Sequence, residues 1–145
     1  MLKKIKDIFK KYKEIIMYLI FGVLTTIVNF IVYILFAWLF EFNETISNGI
    51  AWAISVLFAY ITNKIWVFES KTVKLKVILY ELGSFFGCRA LSGVLDIAMF
   101  YILVEKLKIN DIITKIIIAI FVIILNYIFS KLIIFRKSRE NIVEA

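Results

Sequence analysis

Histidine and proline are both absent from this 145-residue sequence, and cysteine occurs once. Without histidine, the commonest general base and metal-ligating ring is missing. Without proline, no helix is broken by one. A single thiol, Cys88, excludes an internal disulfide. No phosphate-cradling glycine loop, metal-ligand cluster or Ser/Cys–His arrangement is visible. The gaps between apolar runs are too short to hold a soluble catalytic domain. These absences argue against an enzyme, and no cofactor or metal is expected.

What the chain has in excess is apolar surface. Hydrophobic residues make up 63% of it and its mean hydropathy is +0.94, whereas a soluble domain is nearer half apolar. Four long apolar segments cover about 15–40, 46–68, 78–104 and 112–135. Each meets the roughly 20 residues a spanning helix needs, and the first and third are long enough to tilt. The expected fold is all-α: an integral membrane protein of four transmembrane helices. The Lys-rich start imitates a signal peptide, but the apolar run is too long and no small-residue cleavage pattern follows it.

The net charge of +7, from 18 Lys and Arg against 11 Asp and Glu, suits either nucleic acid or a membrane surface. The charges flank the apolar runs, which decides for the membrane and against nucleic acid. Lys3, Lys4, Lys6, Lys10, Lys11 and Lys13 precede the first span. Lys64, Lys71, Lys74 and Lys76 follow the second, and Lys131, Arg136, Lys137 and Arg139 follow the fourth. By the positive-inside rule these regions are cytoplasmic, and so are both termini. The other two loops carry Glu41 and Glu44, and Glu105, Lys106, Lys108, Asp111 and Lys115. Residues 1–14 form a basic segment. Leu2, Ile5, Ile8, Phe9, Tyr12 and Ile16 recur in it at helical spacing, as in an amphipathic helix on the anionic inner leaflet or simply an orientation signal.

A shift of 67 residues aligns the two halves without a gap. Thr25, Thr26 and Asn29 fall on Ser92, Gly93 and Asp96; Asn43-Glu44 falls on Asn110-Asp111; Asn63-Lys64 falls on Ser130-Lys131; Glu14 falls on Glu81. Polar residues are rare inside spans, so these matches carry the argument. One domain is expected, made of two tandem parallel two-helix repeats over about 12–68 and 79–135, related by an axis along the membrane normal. Four helices make a thin wall, so a homo-oligomer is expected.

Arg89 lies about twelve residues into the third apolar segment. An arginine at such depth costs roughly 2.5–3.5 kcal/mol on insertion scales, so it must face the protein interior or a wet cavity. Ser92, Gly93 and Asp96 extend a polar stripe along its helix face; Gly22, Thr25, Thr26 and Asn29 form the uncharged counterpart. The guanidinium fork suits a phosphate. The structural alternative is a buried pair with Asp96 or Glu81. Lys64 and Lys131 at the inner ends, and Lys115 at an outer end, supply further cations along an anion's path, or merely snorkel. Asn63 and the Asn126/Ser130 pair are placed for a sugar or phosphate, or for interhelical bonds. Gly83 and Gly87 form a small-xxx-small pattern suited to helix packing. Phe85-Phe86 and the Trp66 region fit an interfacial belt or a groove for an isoprenoid tail. No energy-coupling motif is present, so Asp96 and Glu81 are the only candidates for a proton relay.

Phe21-Gly22 with Thr25 and Asn29, then Asn63-Lys64-Ile65-Trp66-Val67-Phe68, then Phe85 with Arg89, Lys115, and Asn126 before a basic–aromatic ending, together resemble the GtrA-like family over about residues 12–136. The second-span ending is the most specific part. Ala59, Asn63, Val67, Phe68, Phe85, Arg89, Lys115 and Asn126 match positions that the family pattern uses. The fourth span ends Lys131-Leu132-Ile133-Ile134-Phe135 and lacks the Trp of the second, so the two halves are not expected to bind alike. The resemblance implies a flippase in the bacterial plasma membrane. It would carry a polyprenyl-phosphate (undecaprenyl-type) monosaccharide to the outer leaflet, to decorate teichoic acid or a surface polysaccharide. The alternative is a non-transporting subunit that anchors a polyprenyl-phosphate glycosyltransferase. A small multidrug exporter fits less well, because the deepest charge is a cation.

Overall fold

The computed structural model describes residues 2–136, and side chains for all of these but 2–8 and 111. Lys137 and Arg139, and the side chains of Leu2, Lys3, Lys4, Ile5, Lys6 and Ile8, lie outside the described residues. Every regular element described is helical: α1 Leu2–Ile34, α2 Glu44–Thr62, α3 Leu75–Phe100 and α4 Asp111–Phe129. Each continues into a wider π turn, over Leu35–Leu39, Asn63–Val67, Tyr101–Lys106 and Ser130–Ile134. The stretches Phe9–Leu39, Glu44–Val67, Leu75–Lys106 and Ile112–Ile134, of 31, 24, 32 and 23 residues, are long and apolar enough to cross a bilayer. The chain is a multi-pass membrane protein. No break separates the basic N-terminal stretch from the first span, since α1 is continuous from Leu2.

The turns after α1 and α3 are built alike. Phe40 N–H donates to the Leu35 carbonyl at 3.1 Å and Phe42 N–H to Phe36 at 3.0 Å; 67 positions on, Leu107 donates to Ile102 and Ile109 to Leu103, both at 3.0 Å. Glu41 (φ 53°) and Lys108 (φ 56°) then take the left-handed conformation that stops a helix. Asn43 Oδ1 next accepts from Thr45 N–H at 2.8 Å, and Asn110 Oδ1 accepts from Ile112 and Ile113 at 3.0 and 3.2 Å, capping α2 and α4. The far ends correspond too: Phe68 N–H donates to the Asn63 carbonyl and Phe135 N–H to that of Ser130.

The chain divides into two compact units, Met1–Lys71 and Thr72–Ala145. In the first, α1 packs along α2. The buried face of α2 and its π turn steps by four through Ser47, Ala51, Ser55, Ala59, Asn63 and Val67. Lipid tails are as apolar as leucine, so burial against them gains little; small side chains that allow close backbone approach do the work. Asn29 Nδ2 donates to Ser55 Oγ at 3.2 Å across the two helices, and Phe21 stacks on Trp66 with centroids 5.4 Å apart. In the second unit α3 packs along α4. The buried face of α4 and its π turn carries Thr114, Ile118, Asn126, Ser130 and Ile134, in steps of four except across the half-buried Val122, and Phe85 meets Phe135 at 6.5 Å.

An ion pair closes the first unit: Lys13 Nζ donates to Glu69 Oε1 at 2.6 Å. That hydrogen bond, followed by the Lys13 charge, holds the Glu69 carboxyl below the usual carboxylate range. Both side chains are more than half exposed, at 51% and 59%, so water and salt weaken the pair. Because the carboxyl is shifted down in the folded state, its contribution is present above the ordinary carboxylate range and disappears as pH falls through the lowered value. The stability difference between wild type and Glu69→Gln, followed by unfolding in detergent micelles, should stay level from neutral to about pH 5 and shrink in stronger acid. A difference that grows on acidification would contradict this. Lys108→Gly should stabilise by about 1 kcal/mol in the same assay, since glycine removes the left-handed Cβ clash. Glu69 is also left-handed (φ 48°), but Glu69→Gly should gain less because it also removes the Lys13 bond.

Candidate functional site

α3 carries Arg89 near the middle of the Leu75–Lys106 span, half-buried. Its guanidinium carbon lies 5.4 Å from the centroid of the Phe85 ring one turn earlier, and Phe85 is itself buried against Phe135. Among the described residues no carboxylate pairs with Arg89. A ring face under a cation contributes about 0.5–2 kcal/mol, less than the roughly 2.5–3.5 kcal/mol cost of an arginine at this depth. The remainder is available to water or an anion.

The polar stripe beyond Arg89 divides. Ser92 Oγ donates to the Arg89 carbonyl at 3.0 Å, and a Cβ on Gly93 would meet nothing within 4 Å. Asp96 opens instead into a groove of about 660 Å³ with Ile97, Phe100, Tyr101, Glu105, Lys115 and Ala119. There Lys115 Nζ lies 5.8 Å from the Phe100 centroid. Asp96 and Lys115 are thus brought together, whereas Arg89 does not line that groove. The counterpart stripe in α1 is satisfied locally: Thr25 and Thr26 donate to the carbonyls one turn back, at 2.7 and 3.3 Å, and Asn29 bonds Ser55.

In the first unit Ala59, Asn63 and Val67 share one buried face, and Phe68 is buried beside them. Asn63 is 2% exposed, and its Oδ1 has no hydrogen-bond partner. An unsatisfied buried acceptor costs about 1–3 kcal/mol. Lys64 Nζ donates to Ser70 Oγ at 3.0 Å. A smaller groove of about 390 Å³ is lined by Lys13, Met17, Ile65, Trp66, Glu69, Ser70 and Lys71. In the second unit Lys131 Nζ donates to Tyr127 Oη at 3.1 Å and lies over that ring. Asn126 and Ser130 are buried one turn apart, and Glu81 is fully buried on α3.

One expectation needs correction. Gly83 and Gly87 are exposed, and a Cβ on either would meet nothing within 4 Å. Among the described residues of the second unit nothing packs closely on them; in the first unit close helix approach is supplied by the α2 ladder of Ser47, Ala51, Ser55 and Ala59. Sequence reading passed over that ladder, although its four-residue step is visible in the sequence. It also passed over Thr114, fully buried with an unpartnered Oγ1, and the approach of Glu105 and Tyr101 to Asp96. No periodicity signals these last two.

Residues 17–135 match the family model described as "GtrA/DPMS, transmembrane domain". The chain belongs to this family. It is 44% identical over 126 residues, 87% of each chain, to the cell wall teichoic acid glycosylation protein GtcA of Listeria monocytogenes serovar 1/2a. It is 43% identical over 126 residues, 87% of each chain, to the protein of that name from Listeria innocua. To the uncharacterized membrane protein YwcD of Bacillus subtilis it is 40% identical over 125 residues, 86% of this chain and 98% of the other. No solved structure matches it. The GtrA/DPMS match takes in Asn63, Arg89 and the Asp96–Lys115 groove, while Lys13 precedes it.

If Phe85 and no acid supports Arg89, double-mutant cycles in detergent will separate the two cases. Arg89→Gln with Asp96→Asn should be additive within about 0.5 kcal/mol. Arg89→Gln with Phe85→Leu should couple by about 0.5–2 kcal/mol.

Proposed function

We propose that the protein is a flippase that carries a polyprenyl-phosphate-linked monosaccharide from the cytoplasmic to the outer leaflet of a bacterial plasma membrane, for glycosylation of teichoic acid or a surface polysaccharide. Both termini are inside on this reading, and the polyprenyl tail stays in lipid while the polar head moves.

The observation that carries the reading is Arg89: a guanidinium near mid-span, supported by the Phe85 ring and paired with no described carboxylate. Its planar fork binds two phosphate oxygens at once. Asn63, with an unpartnered carbonyl oxygen, is an acceptor for sugar hydroxyls. Lys64 and Lys131 receive the phosphate at the inner ends, Asn126 lines its way, and Asp96 and Lys115 meet the polar head toward the outer end. Ala59, Val67 and Phe68 in the first unit, and Phe85 in the second, are buried residues that support the polar groups of their own unit. The printed names of the Listeria relatives support the pathway. Two of the four spans are long, 31 and 32 residues, but the loops between spans hold no domain that could transfer the sugar.

The test is transbilayer movement of polyprenyl-phosphate glucose in vesicles containing the purified protein. Wild type should accelerate it and Arg89→Ala should lower the rate at least about tenfold, the effect of about 1.4 kcal/mol. Arg89→Lys should fall between, since an ammonium lacks the fork. Equal rates for wild type and Arg89→Ala would refute the proposal. Protein that moves no lipid but co-purifies with a glycosyltransferase and raises its activity would favour the anchoring subunit instead.

A further inference from the structure

The groove on the second unit is poorly suited to a phosphate alone. Two carboxylates, Asp96 and Glu105, share it with a single ammonium, Lys115, so an incoming phosphate meets net negative charge. Among the described residues neither carboxylate makes an ion pair or a hydrogen bond; Asp96 lies within a helix apolar enough to span a bilayer and Glu105 at the end of that span, and both face the open groove. Ionised carboxylates are acceptors only, and at the position of Asp96 an unsatisfied one is costly. The groove therefore calls for a ligand rich in donors and without negative charge of its own at that point.

We propose that this groove is a carbohydrate subsite that holds the sugar of the lipid-linked substrate. This rests on the flippase reading and adds to it the group that recognises the cargo. Sugar hydroxyls donate to Asp96 and Glu105, and Lys115 donates to a hydroxyl or to the adjoining phosphate. The C–H face of the ring packs on Phe100 or Tyr101, whose ring bodies are apolar. A volume of about 660 Å³ lies within the roughly 300–1,000 Å³ of small-molecule sites.

Two features make the groove a built site. The first is local geometry. An unbroken α-helix turns about 100° per residue, so nine residues would put Asp96 and Glu105 on opposite faces. The wider π turn over Tyr101–Lys106 turns less per residue and swings Glu105 back toward Asp96, in keeping with the frequent use of π bulges at functional sites. The second is asymmetry between the units. Shifted back by 67 positions, Asp96, Glu105, Lys115 and Ala119 become Asn29, Trp38, Asn48 and Trp52. Those positions carry no charge, Asn29 is engaged by Ser55, and an indole stands where the second unit has a methyl group. An organic cation is the other ligand that carboxylates and aromatic rings would accept, and the Lys115 ammonium disfavours it.

The test compares binding of polyprenyl-phosphate glucose and of polyprenyl phosphate without sugar to the detergent-solubilised protein, by isothermal titration. Wild type should bind the sugar-bearing lipid at least about tenfold more tightly. Glu105→Gln, and separately Tyr101→Leu, should abolish that preference while leaving the affinity for polyprenyl phosphate within about twofold. Arg89→Ala should weaken both lipids. Elution of each variant as wild type on gel filtration guards against misfolding. Loss of affinity for both lipids alike in the groove variants, or no sugar preference in wild type that nonetheless binds and moves lipid, would overturn the subsite and leave the flippase reading standing. Wild type that binds neither lipid would overturn both. Asp96-dependent binding of tetraphenylphosphonium in place of the sugar lipid would assign the groove to cations.

Discussion

A guanidinium held in an apolar layer without an acid to neutralise it is the constraint on which the rest depends. The bilayer penalises Arg89 by more than the Phe85 ring returns, which leaves the charge open to water or an anion. Phe85 has to be rigid to serve as a platform, and its burial against Phe135 provides that. Phe135 in turn follows the π turn that ends the fourth span, where its N–H bonds the Ser130 carbonyl. Local helix termination, core packing and the position of the cation are therefore one connected arrangement.

Stability in such a chain cannot come chiefly from burying apolar groups, because the surroundings are apolar as well. It comes from close backbone approach, from hydrogen bonds between helices, and from ends that satisfy their own backbone groups. The ladder of Ser47, Ala51, Ser55 and Ala59, the Asn29–Ser55 bond and the Asn43 and Asn110 caps are the parts that do this. Polar residues that already have partners inside the chain, such as Thr25, Thr26 and Asn29, are thereby removed from the list of ligand groups. Among the described residues, Asn63 Oδ1, Thr114 Oγ1 and the carboxylates of Asp96 and Glu105 are polar groups without such partners.

The two units follow one plan and diverge in charge. The same hydrogen bonds close the turn after the first and third spans, yet the first unit keeps amides and indoles where the second has carboxylates, an ammonium and a methyl group. Similar turns and caps recur in both units, and differences at a few positions leave the groove of the second unit charged where the first unit is not.

The four spans and their approximate limits were legible in the sequence. Hydrophobic length and the rarity of charge inside a span are one-dimensional properties that need no neighbours to interpret. Which polar groups are spent on the fold and which remain open was not legible, because that depends on what stands within about 3 Å of each atom. Periodicity put Ser92 and Asp96 on one stripe with Arg89, but the chain turns Ser92 onto its own backbone and opens Asp96 toward Lys115. It made Gly83 and Gly87 look like a packing motif, though among the described residues of their own unit a Cβ on either would meet nothing within 4 Å. A π turn changes which residues share a face, and only the folded backbone reveals where α-helical winding gives way to it.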